Sequence, residues 1–284
     1  MTGDLIVEVA HGPQRGQKAV VRPGQRLVVG GSKTPGDPVM GSDRITWSLA
    51  DETLAAQQLL LAWDGHGGTL QHLGDVSKKT CLEGQPSEHG PVRHGTWIRA
   101  GATDLTLARE RHTPPEEPPT AATIAAAGPA LVHLTTVADP LYAIVDASRD
   151  PRIRVLLHES PAVARCLYDG VEADAYADSA PFLVPLDPAG LLLQDLVHEG
   201  WRQRWATYLT APKSLGPDEV RRHLRKFLRV QLERSGEVAY FRFYDPYVLR
   251  SYVAGCSADE RREFVGPLTY LPIDDDGVVH VLTA

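Results

Sequence analysis

Cysteine is scarce in this chain: Cys81, Cys166 and Cys256 stand far apart, and no two form a CxxC pair. An odd number at wide spacing argues against a disulfide framework and fits reduced thiols acting as small, semi-buried hydrophobes. Long apolar runs are missing too. None near the termini approaches the ~20 residues that a membrane-spanning helix needs. Asp4 and Glu8 stand where a secretory signal would place its basic and apolar regions, so no signal peptide is expected. Net basic charge is absent. Lys and Arg total 29 against 36 Asp and Glu, giving a net charge of −7. Such a chain is not built to coat nucleic acid or anionic lipid. The usual catalytic signatures do not occur either: no GxxxxGK[ST], no GxGxxG, no GxSxG and no HExxH. The expectation is a cytoplasmic protein that is not an enzyme, takes no cofactor or metal, and binds neither nucleic acid nor membrane.

What is present is ordinary globular material, 43% hydrophobic and 23% charged over 284 residues, enough for two domains with cores. The composition changes near residue 112. The stretch 112–129, HTPPEEPPTAATIAAAGP, is rich in proline and alanine and holds no aromatic residue. Proline-rich segments extend as semi-rigid spacers, so 112–129 is read as a linker, with a short helical turn over Thr123–Ala127. Before it, over residues 1–111, short apolar runs alternate with turns. Leu5–Val9, Lys18–Val21, Arg26–Val29, Gln58–Trp63, Gly68–Leu73 and Asp104–Ala108 read as strands. GPQRG, PG, DGHGG and RAGA separate them. Regular short strands with turns predict an all-β sandwich, and EVAHGPQRGQKAVV predicts a hairpin.

Over residues 130–284 the pattern is mixed. Leu141–Asp146 reads as a buried strand. Asp150–Glu159 reads as a helix capped by Asp150 with Pro151 at its first position. Ala164–Tyr168, Phe182–Leu186, Trp205–Leu209 and Ala239–Tyr244 read as strands. Leu191–Gly200, Asp245–Tyr252 and Asp259–Phe264 read as helices, and a final strand pair flanks the Asp274–Gly277 turn. The spacing of Val220, Leu224, Phe227 and Leu228 predicts a long helix over Ser214–Leu232. Strands interleaved with helices give an α/β or α+β domain.

Two segments here are candidates for partner binding. Alternation over Phe241–Tyr244 places Phe241 and Phe243 on one face and Arg242 and Tyr244 on the other, before Asp245 caps a helix that Pro246 starts. Arg242, Tyr244 and Asp245 are then either a strand–helix junction or a contact surface. Arg221, Arg222, Arg225, Lys226 and Arg229 lie opposite the apolar stripe of the long helix. They form either a solvated face or an electrostatic dock for an acidic partner.

The phrases LYAIVDASRDPRIRVLL, CLYDG, APFLVPLDP, LLLQDLVHEGW, ATYLTAP, EVRRHLRKFLRVQ, YFRFYDPYVLRSYV and FVGPLTYL occur in that order across roughly residues 131–273. Together they resemble the adaptor/chaperone family of the bacterial type VI secretion system, domain of unknown function 4123. The resemblance implies a non-catalytic protein of the producing cell's cytoplasm. Such a protein binds a cognate toxic effector and helps load it onto the VgrG spike protein. The family often carries a further helical lobe that grips the effector. The chain continues only about ten residues past Pro272, so that lobe is expected to be short or missing.

Residues 3–109 resemble a forkhead-associated (FHA) domain, a β-sandwich that reads phosphothreonine through its loops. The resemblance is carried by the hairpin Val7–Val21, RLVVGG, DETLAAQQLLLAW, SKKTCLEG and the late strand Leu105–Ala108. The family's phosphate-binding residues do not carry over. Its Gly-Arg is Gly30-Gly31 here, its Ser-x-x-His is Leu54-Ala55-Ala56-Gln57, and its Asn-Gly-Thr is Lys78-Lys79-Thr80. The guanidinium, serine and asparagine that would converge on a phosphate dianion are missing, and lysines give charge without bidentate geometry. Gly31, Gln57, Lys78, Lys79 and Thr80 therefore mark degenerate phosphopeptide loops, with protein contact or dimerisation as the expected use. The alternative is a phosphothreonine-dependent regulatory module of the secretion system.

Remaining candidates are weak. His66, His72, His89 and His94, near Glu88, lack metal-ligand spacing and read as surface loop histidines. Asp274–Asp276 lacks the alternating ligands of a calcium loop. Cys256 precedes a helix, but no histidine adjoins it to make a nucleophile pair.

Overall fold

The structure is a computed structural model that describes residues 3–75, 77–231 and 236–284. The chain divides into two compact units. The first comprises Met1–Pro114 with His158–Val163, and the second Pro115–Leu157 with Ala164–Ala284.

The first unit is a β-sandwich. Its strands are β1 (Leu5–His11), β2 (Lys18–Val21), β3 (Arg26–Gly31), β4 (Val39–Met40), β5 (Arg44–Leu49) and β6 (Leu59–Trp63). They continue with β7 (Gly68–His72), β8 (Thr80–Leu82), β9 (Gln85–Pro86), β10 (His89–Val92), β11 (Trp97–Ala100) and β12 (Thr103–Arg109). One six-stranded sheet runs β2-β1-β12-β11-β8-β9 and the other β10-β7-β6-β3-β5-β4. All pairings are antiparallel except β3 with β5. The predicted hairpin is β1–β2, in register from Leu5 opposite Val21. Alternation sorts each strand: Leu5, Val7 and Val9, Leu59, Leu61 and Trp63, and Leu105 and Leu107 all enter one core with Trp47.

The second unit begins with helix α1 (Ala121–Thr135), whose Ala127, Ala130 and Leu134 are buried and whose N-terminus is capped by Thr120. The stretch 112–129 thus contains the first half of a packed helix, longer than the turn the sequence suggests. Alanine supplies helix propensity and a thin packing face, and Pro129 is accommodated within it. Then follow β13 (Leu141–Asp146), α2 (Pro151–His158), β14 (Arg165–Cys166), α3 (Gly170–Ala175), β15 (Pro181–Leu186), α4 (Leu191–His198) and β16 (Ala206–Thr210). The unit ends with α5 (Pro217–Arg225), β17 (Arg229–Gln231), β18 (Val238–Tyr240), α6 (Pro246–Gly255), α7 (Ala258–Val265) and β19 (Thr269–Leu271).

The central sheet runs β14-β15-β13-β16-β19 and is antiparallel throughout, which makes the unit α+β. β13 is buried along its whole length. Its Tyr142 and Ile144 join a core with Val220 and Leu224 of α5, Leu249 and Val253 of α6, and Phe264 of α7. Phe264 is the hub, with ring contacts to Phe227, Phe241, Phe243, Tyr252 and Tyr270 at 4.9–6.3 Å. Among the described residues no helix is long and apolar enough to cross a membrane.

Two predicted elements are corrected. The helix over Ser214–Leu232 is only α5. It ends at Arg225, and Arg229–Gln231 becomes a strand paired with Val238–Tyr240. Leu232 itself lies outside the described residues. Valine and polar neighbours suit the ribbon as well as the helix, and cross-strand pairing decides between them. The strand over Ala239–Tyr244 stops at Tyr240. Phe241–Tyr244 is a turn, with the Asp245 amide donating to the Arg242 carbonyl at 3.0 Å. Phe243 and Tyr244 are therefore both buried, instead of facing opposite ways.

Candidate functional site

The turn Phe241–Asp245 is built onto the end of β13. Asp146, the last residue of that strand, is 1% exposed. Its carboxylate accepts from the Ser148 amide at 3.2 Å and the Ser148 hydroxyl at 2.7 Å. Arg149 Nε lies 3.4 Å away, and Arg242 Nη2 donates to the same oxygen, Oδ2. Arg242 Nη2 also reaches Ser148 Oγ at 3.0 Å. Arg149 in turn donates to Asp245 Oδ2. The other oxygen of Asp245 accepts from the amides of Tyr247 and Val248 at 2.9 and 3.2 Å. Asp245 is thus the predicted helix cap, and it also carries an ion pair. Burial would lower the Arg242 pKa, but its bond and charge contact with Asp146 outweigh that and raise it. Tyr244 is buried and bonded to Tyr168, and burial, its largest influence, pushes its hydroxyl pKa up. The Tyr244 carbonyl accepts from Thr207 at 2.7 Å.

Two basic residues of α5, Arg221 and Arg225, also turn inward. Arg221 donates from Nε to the Cys166 carbonyl at 2.7 Å and from Nη2 to that of Tyr168 at 3.1 Å. Arg225 Nε bonds the Leu167 carbonyl at 2.9 Å. Both guanidinium groups pair with Asp169. Burial pushes the Asp169 carboxyl up, but the two arginines more than offset it and hold it below its ordinary value. Arg229 pairs with Glu172 and lies over the Tyr240 ring at 5.6 Å. Of the predicted partner-facing residues, Arg221, Arg225, Arg229, Arg242 and Asp245 are therefore engaged internally and Tyr244 is covered. Arg222 and Lys226 remain exposed. The basic face arises because loops need arginine to tie down carbonyls and carboxylates, a use that helical periodicity does not distinguish from docking.

The degenerate loops of the sandwich are closed by internal bonds. A Cβ on Gly31 would lie 2.3 Å from the Asp51 carbonyl oxygen, and one on Gly30 would lie 1.9 Å from that of Ala56. The segment 51–56 thus presses on the end of β3, where only glycine fits. Thr80 is buried and bonded to Gln58 and His72, each at 3.0 Å. Lys78 donates its ammonium to the Leu54 carbonyl at 2.7 Å. Gln57 is exposed and lies 3.4 Å from Arg44, and Lys79 is exposed. Two residues unremarked in the sequence organise this region. Gln58, fully buried, bonds Ala55, Lys78 and Thr80. Asp51 accepts from Thr53, Ala102 and Thr103.

The histidines read as surface loops are partly engaged: His72 bonds Thr80, and the His94 ring lies 4.0 Å from that of His112. His66 and His89 are exposed. Among the described residues no three His, Cys, Asp or Glu side chains gather as metal ligands. Asp274 instead pairs with His280 at 2.6 Å within its turn.

Comparison with known families decides the second unit. Residues 141–263 match the family described as domain of unknown function DUF4123.

The second unit carries a DUF4123 domain.

The match begins at the first residue of β13 and takes in both arms of the Asp146–Arg242 and Arg149–Asp245 arrangement. The DUF4123 phrases IVDASRDP and FRFYDP are thus joined in space. Among solved structures, the first unit is similar to the FHA domain of an Arabidopsis thaliana hypothetical protein, at 18% identity and TM-score 0.31. That similarity spans 41% of this chain and 92% of the other. It is also similar to the FHA domain of a Chlamydia trachomatis protein, at 16% identity and TM-score 0.30, spanning 37% and 96%. A third similar structure is the cytoplasmic domain of the type III secretion sorting platform protein PscD of P. aeruginosa. Here the values are 19% and 0.30, over 40% and 86%. No curated protein matches the chain. The sandwich itself rests on the strand pairing described above.

Proposed function

We propose that this chain is a non-catalytic type VI secretion adaptor. It binds a cognate toxic effector in the cytoplasm of the producing cell and helps load it onto the VgrG spike. The observation that carries the reading is the DUF4123 match over residues 141–263, the span whose phrases resemble that adaptor family. The placement of the motif's polar groups supports it. Asp146, Arg149, Arg242 and Asp245 are paired with one another, so they brace a scaffold for protein contact. The sandwich contributes further protein-contact surface. Phosphothreonine reading is the second candidate. It is disfavoured by Thr80 and Lys78, whose polar groups are bonded within the loops.

The test is co-expression of the full chain with a VgrG spike protein and a candidate toxin of the producing bacterium, followed by affinity purification and size-exclusion chromatography. A stable complex with the toxin, formed without any phosphorylation, is expected. A chain that elutes alone in the presence of both would contradict the adaptor reading.

A further inference from the structure

Among the described residues, β17 and β18 form a two-stranded sheet with no third strand on either edge. Each strand is only three residues long. A two-stranded ribbon is marginal in water unless something covers it. Its register places Arg229 opposite Tyr240 and Gln231 opposite Val238, with Val230 and Ala239 paired on the other face. On the first face, Val238 is 68% exposed and Tyr240 48%. Val230 is exposed on the second. The ribbon is anchored at one end. Glu172 of α3 accepts from both Arg229 and the Tyr240 hydroxyl, and Tyr240 packs on Tyr168 at 5.5 Å. Two further exposed apolar side chains, Val171 and Tyr176, belong to that same α3 segment. Concentrated exposed apolar area on a framework otherwise closed by ion pairs marks a contact surface. Open strand edges mark the mode of contact: backbone pairing with an added strand.

Charge selects the partner. Arg222 and Lys226 stand four residues apart, at the end of α5 and in the turn that leads into β17, and both are exposed. Among the described residues, the acidic groups of α3 and of the stretch leading into β18 are already engaged: Glu172 with Arg229 and Tyr240, and Asp174 and Glu237 each in an interaction of its own.

We propose that the β17–β18 ribbon is a strand-addition site for an extended acidic segment of a partner protein. The segment pairs its backbone with an open ribbon edge. It lays alternate apolar side chains beside Val238 and sets its carboxylates against Arg222 and Lys226. The proposal rests on the adaptor reading in taking a protein as the partner, and it names the surface and chemistry of capture.

The probes are twelve-residue peptides alternating valine with glutamate, the same with lysine, and the glutamate peptide N-methylated at alternate amides. Binding to the full chain is measured by fluorescence anisotropy. The valine–glutamate peptide is expected to bind and the lysine peptide not to. N-methylation, Val238→Glu and Lys226→Glu are each expected to weaken binding by about tenfold or more. Both substituted positions are solvent-exposed, and melting curves check that the variants stay folded. No binding by any peptide, equal binding of the acidic and basic peptides, or indifference to N-methylation would each overturn the proposal. A concentration-dependent dimer lost in Val238→Glu would overturn it as well, by assigning the ribbon to a second copy. If the peptides fail while the toxin still co-purifies, the ribbon site falls and the adaptor reading stands. The reverse result sinks the adaptor reading alone.

Discussion

Arg242 donates to the buried carboxylate of Asp146, 96 positions earlier in the chain. Arg149 and Asp245 repeat the pairing across the same interval. The two pairs fasten the turn after β18 to the end of β13, and Asp245 then starts α6. Asp146 keeps Ser148 and Arg149 as partners when Arg242 is lost, whereas losing Asp146 strips Ser148, Arg149 and Arg242 of their acceptor at once.

The two partners are therefore expected to respond unequally. Asp146→Ala removes bonds to Ser148, Arg149 and Arg242 together and should cost about 3 kcal/mol. Arg242→Ala removes a half-exposed partner and should cost about 1–2 kcal/mol. Urea denaturation of the single and double variants should give a coupling of about 1 kcal/mol. Strict additivity would mean that the pair contributes nothing as a pair.

Restoring an arginine at the sandwich loop should not restore phosphopeptide reading. Gly31→Arg places a Cβ where the Asp51 carbonyl oxygen lies, and the clash should cost about 2–3 kcal/mol. Titration calorimetry of the parent chain and this variant against phosphothreonine peptides should give no phosphate-dependent binding. Affinity that disappears on dephosphorylation would favour the regulatory reading.

His223 should make the second unit sensitive to mild acid. Burial holds its pKa below the ordinary 6.5, more than the bond to the Phe264 carbonyl raises it. That bond is 2.8 Å, and the ring fills the space beside Gly266. The unfolded chain takes up the proton first. The contribution is therefore complete above pH 6.5 and is lost as pH falls from there through the lower folded value. Melting temperature measured from pH 7.5 to 5 should fall in the parent chain and fall less in His223→Gln. Identical slopes would place the sensitivity elsewhere.

Asp51 should govern the acid limit of the sandwich. Burial raises its pKa, but hydrogen bonds from Thr53, Thr103 and two backbone amides outweigh that and lower it. Its stabilisation is present above the ordinary 3.8 and is lost as pH falls through the lower folded value. Asp51→Ala should cost about 2 kcal/mol at neutral pH and flatten the acid-induced loss below pH 4. Both are read from denaturant titrations of the full chain in a background with Trp201→Phe and Trp205→Phe, so that fluorescence reports the sandwich through Trp47, Trp63 and Trp97.

Much of this was written openly in the sequence. LYAIVD reads as a buried strand because every residue but the last is apolar, and it is one. Asp245-Pro246 reads as a capped helix start because those residue types have few other uses in sequence, and the amides of Tyr247 and Val248 confirm it. β5 was missed: Ile45, Trp47 and Leu49 alternate with Arg44, Thr46 and Ser48, but no glycine-bounded apolar run announces the strand. The end of α5 was missed too. Val230 continues an amphipathic pattern, and only its pairing with Ala239 turns the chain into a ribbon. The roles of the arginines were hidden for a similar reason. Arg221 and Arg225 face carbonyls more than 50 residues away, and local periodicity carries no information about such partners. The Asp146–Arg242 link was half visible, since both residues sit in phrases singled out for resemblance, but nothing in one phrase points to the other.

An adaptor of this kind serves one cargo, and an interbacterial competition assay reads that out in the living cell. Prey strains each lacking a single immunity protein are challenged by a producer from which this gene is deleted. Loss of killing is expected only for the prey sensitive to the cognate effector, restored by the intact gene. Undiminished killing of every prey, or loss of killing of all of them, would contradict it.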